Sequence, residues 1–367
     1  MKMRNNWKVT IDSAGRKSAF VAKLITQIEY YAIPLFPGIK EKLDEVIGQY
    51  VEPDKKENKR VLRKIKKDVL YARLRYDISW TQYFIHDFEK LNHKGRREYV
   101  GEREKVRYVT GVNKTGGAHD TFREKYLAYQ TFQPFYHRQV LQIRPEEREA
   151  FLDFAKRNPK FILKCADEAF GKGVRIIDQA ASVESMEALF DGLIQDQQRY
   201  IVEELIVQAP EMMALHPSSV NTVRFSTYLK DDTVLHLFSF LRMGSGGGVI
   251  DNATAGGLAA AIDPETGIVT SEACREDLTR MLFHPDTGVQ IIGMQIPRWQ
   301  ELLSLVDQLA RVVPQQPFVG WDLALTDGGW VMVEGNDNAM ITAIQMCERR
   351  GLRDRFDCVF HNDLAKK

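Results

Sequence analysis

Two apolar runs broken by Asp327-Gly328-Gly329 set the tightest limit on how this chain folds. Phe318-Val-Gly-Trp-Asp-Leu-Ala-Leu-Thr precedes the break and Trp330-Val-Met-Val-Glu-Gly-Asn follows it. Apolar runs around such a turn predict a β-hairpin. With a three-residue loop, Thr326 pairs with Trp330, and Asp322 then falls opposite Glu334. Two facing carboxylates on an apolar hairpin repel each other, and a divalent cation reverses that sign. Asn336 lies two residues beyond Glu334 and shares its face. Asp, Glu and Asn offer only oxygen, which suits magnesium better than zinc or copper. The alternative, a surface hairpin with both acids solvated, is disfavoured by the flanking Trp321, Leu323, Val331 and Val333.

Other strand-like runs lie at Phe161-Ile-Leu, Tyr200-Ile-Val, Val223 to Leu229 and Val234 to Leu241, with a second hairpin turn at Lys230-Asp-Asp. Helical patterns intervene at Pro145 to Arg157, Ser182 to Gln197 and Pro297 to Val313. Hairpins mixed with helices predict an α+β fold from about Thr121 onward. The first 110 or so residues read as helical instead. Ala19, Phe20, Leu24, Ile25, Ile28 and Tyr31 recur at helical spacing, and Lys55 to Tyr76 carries a basic run in front of an apolar stripe. That run is either a solvated helix face or a surface for anionic lipid, polysaccharide or nucleic acid. No aromatic residue interleaves with it, so nucleic acid is the least expected.

Lys and Arg total 51 against 50 Asp and Glu, a net charge of +1 over 367 residues, which excludes a histone-like polycation or an acidic disordered chain. Cys165, Cys274, Cys347 and Cys358 form no C-x-x-C pair, so neither a disulfide scaffold nor a zinc ribbon is expected, and a reduced cytoplasmic setting is. No secretory or membrane-spanning segment is expected, although peripheral membrane contact stays open.

Lys164 ends one strand-like run, and Gly171-Lys172-Gly173 precedes another at Val174-Arg-Ile-Ile. Such a loop either forms a nest for phosphate or is a plain β-turn. Arg224, at an alternate position of Thr222 to Leu229, is either a fork for phosphate or carboxylate or a salt-bridge partner. Gly244-Ser-Gly-Gly-Gly248, then Asp251-Asn252, reads as a substrate-covering loop or a linker.

In order along the chain, these pieces are similar to the ATP-grasp superfamily, and most similar to its sugar-transfer-associated family, from about Ile78 to Gly351. The resemblance rests on Asp120 to Lys125, Lys164 with its glycine loop, Val202-Glu-Glu204, and His216-Pro with Asn221-Thr-Val-Arg224. It continues through Asp251-Asn252 with Gly256-Gly257, His284-Pro-Asp-Thr-Gly288, Ile296-Pro-Arg-Trp299, Gly320-Trp-Asp322 and Glu334-Gly-Asn336.

The resemblance implies two α+β lobes clasping a nucleotide behind a mainly helical region. The segments would be residues 1–115, 116–206 with the phosphate loop, 207–350 with the metal site, and a tail at 351–367. Lys125, Lys164 and the loop Gly171, Lys172 and Gly173 would hold ATP phosphates. Glu203, Glu204, Leu205, Ile206 and Glu211 would contact the rest of the nucleotide. Asp322, Glu334 and Asn336 would bind magnesium, with Arg224 and Asn252 acting on the transferring phosphoryl group. Such enzymes form an acyl phosphate from a carboxylate and pass it to an amine, yielding an amide, ADP and phosphate. The family implies substrates of amino-sugar or surface-polysaccharide biosynthesis. A phosphotransferase on the same fold and a non-catalytic nucleotide-binding scaffold are the alternatives. Two departures stand out: Gly320 occupies a place where many such ligases carry arginine, and Asp337-Asn-Ala-Met340 replaces a Pro-Gly turn. His284 and Trp299 are candidates for the acceptor pocket or for structural turns.

Overall fold

The computed structural model describes residues 13–113, 117–166, 173–180, 185–196, 198–246 and 257–364. Contacts divide the chain into two compact units. One comprises Met1–Gly111, Glu276–Thr279 and Met340–Lys367, and the other Val112–Arg275 with Arg280–Ala339. The residues after Ala339 belong to the helical unit.

The first unit is helical: α1 (Ala19–Ala32), α2 (Pro37–Tyr50) and α3 (Lys59–Tyr76) are followed by shorter helices, with Thr342–Glu348 and Arg353–Leu364 added from the C-terminal end. Asn58 caps α3 by accepting hydrogen bonds from the Arg60 and Val61 amides, satisfying donors that the first turn leaves open. Ile65, Val69, Ala72 and Tyr76 of α3 join Leu43 and Ile47 of α2 in the core, while the basic run points outward. Gly101 is obligatory, since a Cβ there would come within 2.1 Å of the Asp77 carbonyl oxygen. Gln345 links the ends of the unit: its amide accepts from the Val100 and Leu352 N–H groups and donates to the Val100 carbonyl. Among the described residues, no helix is long and apolar enough to cross a membrane.

The second unit holds two antiparallel sheets. The four-stranded sheet runs β1 (Val140–Gln142), β4 (Tyr200–Glu204), β2 (Lys160–Cys165), β3 (Arg175–Asp178). The seven-stranded sheet runs β11 (Gly329–Asn336), β10 (Phe318–Thr326), β5 (Thr222–Lys230), β6 (Thr233–Met243), β7 (Leu258–Ile262), β8 (Ala273–Cys274), β9 (Arg280–Met281). Four helices flank these sheets: α4 (Lys125–Phe132), α5 (Arg148–Arg157), α6 (Met186–Gln195) and α7 (Trp299–Val312). Phe151 and Phe154 of α5 and Phe190 of α6 pack on Phe161 and Val202 of the smaller sheet. Leu302, Val306 and Leu309 of α7 pack with Val223, Phe225 and Trp321 of the larger one.

The hairpin turn differs from the expected one. Thr326 pairs with Gly329, so the loop is the two residues Asp327 and Gly328. That register alone would put Val333 opposite Asp322 and turn Glu334 to the other face. A β-bulge between Asp322 and Leu323 absorbs one residue and restores the Asp322–Glu334 pair. A second bulge, at Ser226/Thr227 between β5 and β6, sets Thr222 opposite Arg242.

Candidate nucleotide and metal site

β10 lies between β5 and β11, and so Asp322 has Arg224 on one side and Glu334 on the other. Arg224 donates Nε–H and Nη2–H to the two Asp322 oxygens, the second over 2.7 Å, and Arg242 Nη1 donates to Oδ2 over 2.9 Å. Asp322 is only 4% exposed. Burial pushes its carboxyl pKa up, but the two guanidiniums outweigh burial and hold it below the ordinary carboxylate range. An ionised carboxylate has about four lone-pair positions, and these three bonds leave one for another partner.

Gly320 explains the missing arginine. A Cβ at this position would meet the Ala339 Cβ at 2.4 Å and Arg224 Cδ at 3.3 Å. The Ala339 Cβ therefore fills the space a side chain at 320 would need, with Arg224 at its edge, and Arg224 reaches Asp322 from the neighbouring strand. Thr222, Ser226 and Tyr228, which share the face of β5 with Arg224, are all buried.

The smaller sheet supplies a second cluster. Glu203 is 3% exposed and lies between Lys164, whose ammonium pairs with Oε1, and Arg138, whose Nε donates to Oε2 over 3.0 Å. Burial raises the Glu203 pKa, yet Lys164 and Arg138 override it and bring it down to about 2. Arg138 Nη1 also donates to the Met332 carbonyl over 2.7 Å, which ties this cluster to β11. Lys125, the first residue of α4, donates from Nζ to the Cys165 carbonyl over 2.9 Å at the end of β2.

Glu334 joins the clusters. Its side chain is open to solvent, yet so much protein surrounds it that burial raises its pKa, with repulsion from Asp322 adding to the rise. Arg224, Lys164 and Lys125 pull in the opposite direction. Asn336 pairs with Gly320, and its amide nitrogen is buried with no partner among the described residues. The donors fit a hard cation, because a cation between Asp322 and Glu334 would relieve their repulsion and Asp322 retains one lone-pair position. Among the described residues no group of three or more His, Cys, Asp or Glu is placed to hold a metal ion.

The remaining candidates divide. Glu204 accepts from the Gln139 amide and donates its own N–H to the Gln139 carbonyl. Leu205 and Ile206, just past β4, make no hydrogen bond to a described residue, which leaves their backbone groups open to a flat heterocycle. Glu211 stands apart: it is exposed on the short helix Pro210–Met213 and, with Arg298 and the β10–β11 turn, lines a small cavity of about 250 Å³. Gly173 has a left-handed backbone (φ 71°) just before β3, whereas Gly171, Lys172 and Asn252 lie outside the described residues. His284 and Trp299 are buried structural residues. His284 Nε2 bonds the Gly244 carbonyl over 2.9 Å, and Trp299 packs under Gly267 and donates to the Pro264 carbonyl. Asp337, where a Pro-Gly turn was expected, pairs with His119, and its carbonyl accepts from the Asn113 amide.

Arg242 and Arg138 went unnoticed in the sequence. The β5–β6 turn alone assigns Arg242 to the opposite face from Arg224, and only the bulge brings it round. Arg138 precedes β1 with no pattern marking it.

The family described as sugar-transfer associated ATP-grasp matches residues 128–360. No curated protein matches the chain in sequence. Among solved structures, the ATP-grasp ligase PsnB complexed with minimal precursor is 13% identical, over 66% of this chain and 61% of its own, with a TM-score of 0.38. D-alanyl-alanine synthetase A from Vibrio cholerae is 12% identical over 67% of this chain and 66% of its own, TM-score 0.41. D-alanine–D-alanine ligase from Bacillus anthracis complexed with ATP is 9% identical over 68% and 69%, TM-score 0.40. The chain thus spans about three fifths of the PsnB chain. With more than half its length matched by one family, this chain belongs to the sugar-transfer associated ATP-grasp family and has the ATP-grasp fold.

Proposed function

We propose that this protein is an ATP- and magnesium-dependent ligase that joins a carboxylate to an amine. The observation that carries the reading is the arrangement around Asp322: Arg224 bonded to it, Glu334 opposite it, and Lys164 and Lys125 within electrostatic reach of Glu334. Five cationic side chains (Lys125, Arg138, Lys164, Arg224, Arg242) meet three carboxylates (Glu203, Asp322, Glu334), an excess of two positive charges. A triphosphate carrying one magnesium ion has about two net negative charges, so the cluster is its electrostatic complement.

In this reading Glu203 orients Lys164, and Lys164 and Lys125 hold phosphate oxygens. Glu334, the remaining Asp322 lone pair and Asn336 would hold magnesium, which would supply positive charge against the phosphates. Arg224 stabilises charge on the transferring phosphoryl group, and the Leu205 and Ile206 backbone meets the adenine edge. Phosphoryl transfer is governed by positioning and charge neutralisation, and no protein nucleophile is needed. A substrate carboxylate oxygen attacks the γ-phosphorus and ADP leaves; an amine then displaces phosphate from the acyl carbon. The family's name points to substrates of amino-sugar or surface-polysaccharide biosynthesis.

The test is ADP release from ATP and magnesium with pooled carboxylates and amines. Asp322→Asn and Lys164→Ala should each lower it by about 100-fold or more. Release unchanged in both variants would refute the site. A phosphorylated product that persists without amine would assign transfer to a hydroxyl instead.

A further inference from the structure

Helix α1 has its apolar face outward. It seats on α3 through the small buried residues Ala22 and Thr26, and is tied there by Glu29 to Arg73 (2.7 Å) and Gln27 to Lys67 (2.6 Å). Its large residues face solvent: Phe20, Leu24, Ile28 and Tyr31 recur along one side, and Leu35 and Phe36 extend the stripe beyond the helix end. Phe20 and Leu35 are each 76% exposed. A continuous apolar surface of this kind marks an interaction site rather than a random exposure.

The cations of α3 share this surface. A groove of about 830 Å³ is lined by Phe20 and Leu24 from α1, and four cations (Lys23, Lys64, Lys67, Arg96) outnumber its two acids, Asp68 and Glu89. Arg63 donates to the Tyr31 hydroxyl, and its guanidinium lies 5.7 Å from the Tyr31 ring. Residues 13–76 contain fifteen Lys and Arg against eight Asp and Glu, although the whole chain is nearly neutral. Large apolar residues edged by lysine and arginine are what a helix lying in a membrane interface presents. A second copy meeting this face with its own would bring like charges together, which opposes self-association.

We infer that the α1–α3 face docks on the surface of a bilayer containing anionic phospholipid, the apolar stripe entering the headgroup boundary and the flanking cations meeting lipid phosphates. The residues involved lie outside the nucleotide site, so failure of this inference and failure of the ligase reading are separable.

Co-sedimentation of the full chain with phosphatidylcholine vesicles, with and without phosphatidylglycerol, tests it. Binding should require the anionic lipid and weaken as salt rises from about 0.1 to 1 M, which shortens the Debye length from about 10 to 3 Å. Leu24→Asp with Ile28→Asp should weaken binding by about tenfold or more without lowering the melting temperature, because both side chains are exposed. Lys23→Gln and Lys64→Gln should weaken it about fivefold each, a readout that does not depend on the stripe variant folding. Absence of wild-type binding to the anionic vesicles overturns the inference, as does binding that neither pair of substitutions alters. A dimer in solution that the Leu24/Ile28 variant dissociates, or capture by a soluble anionic polysaccharide with no vesicle binding, also overturns it.

Discussion

At the scale of single residues, burial and neighbouring charge push similar groups in opposite directions. Asp322 and Glu334 are paired carboxylates, but two guanidiniums keep the first ionised while burial and repulsion raise the second. His86, in the helical unit, shows burial acting alone. It is 3% exposed, stacks against Tyr99 with centroids 4.8 Å apart, and neither ring nitrogen has a partner among the described residues. Burial lowers its pKa to about 3. An unfolded histidine titrates near 6.5, so the unfolded chain binds the extra proton as pH falls below that value, and stability declines toward pH 3. His86→Phe removes this contribution. Between pH 7 and pH 5, the wild type should lose about 2 kcal/mol more than the variant in urea titrations; equal losses would show that His86 is protonated in the fold.

At the scale of elements, register decides which side chains meet. The period of two along each strand was readable, and with it the expectation that Asp322 faces Glu334. The loop behind that expectation was one residue too long, and the bulge supplied the missing offset. Bulges depend on twist and on packing against neighbouring strands, which a strand's own residues do not display. The same limit concealed Arg242. At Gly320, β10 yields space to the Ala339 Cβ with Arg224 Cδ beside it, so Gly320→Ala should force Ala339 away and crowd Arg224, destabilise the fold by about 1–3 kcal/mol and lower ATP turnover at least about tenfold. Gly328→Ala, whose added Cβ meets only Thr326 Oγ1 at 3.7 Å, is the control and should retain turnover. Equal turnover in both variants would count against the role given to Arg224.

At the scale of the whole chain, contacts regroup what the linear order separates. Met340–Lys367 joins the helical unit, whereas the lysines of β2 and α4 share a unit with the acids of β10 and β11. Nucleotide bound at this cluster should stabilise the unit that holds it. At ligand concentrations about 100-fold above Kd the gain is about 2.7 kcal/mol, which limits the slowing of amide exchange to about 100-fold. Hydrogen exchange with magnesium and ADP should therefore slow in β2, β4, β10 and β11 and remain unchanged in α1. Protection centred on α1 would move the nucleotide site to the other unit.

Local patterning along the chain was enough to establish the α+β class, the helical first part and the positions of most strands. These follow from hydrophobic period and turn chemistry, which act over a few residues. Tertiary structure alone decided that Arg224 and Arg242 both hold Asp322, that Glu203 is wedged between Lys164 and Arg138, and that the apolar residues of α1 face outward. Each of these depends on which distant surface a segment packs against, and hydrophobic periodicity reveals that a face is apolar without revealing what covers it.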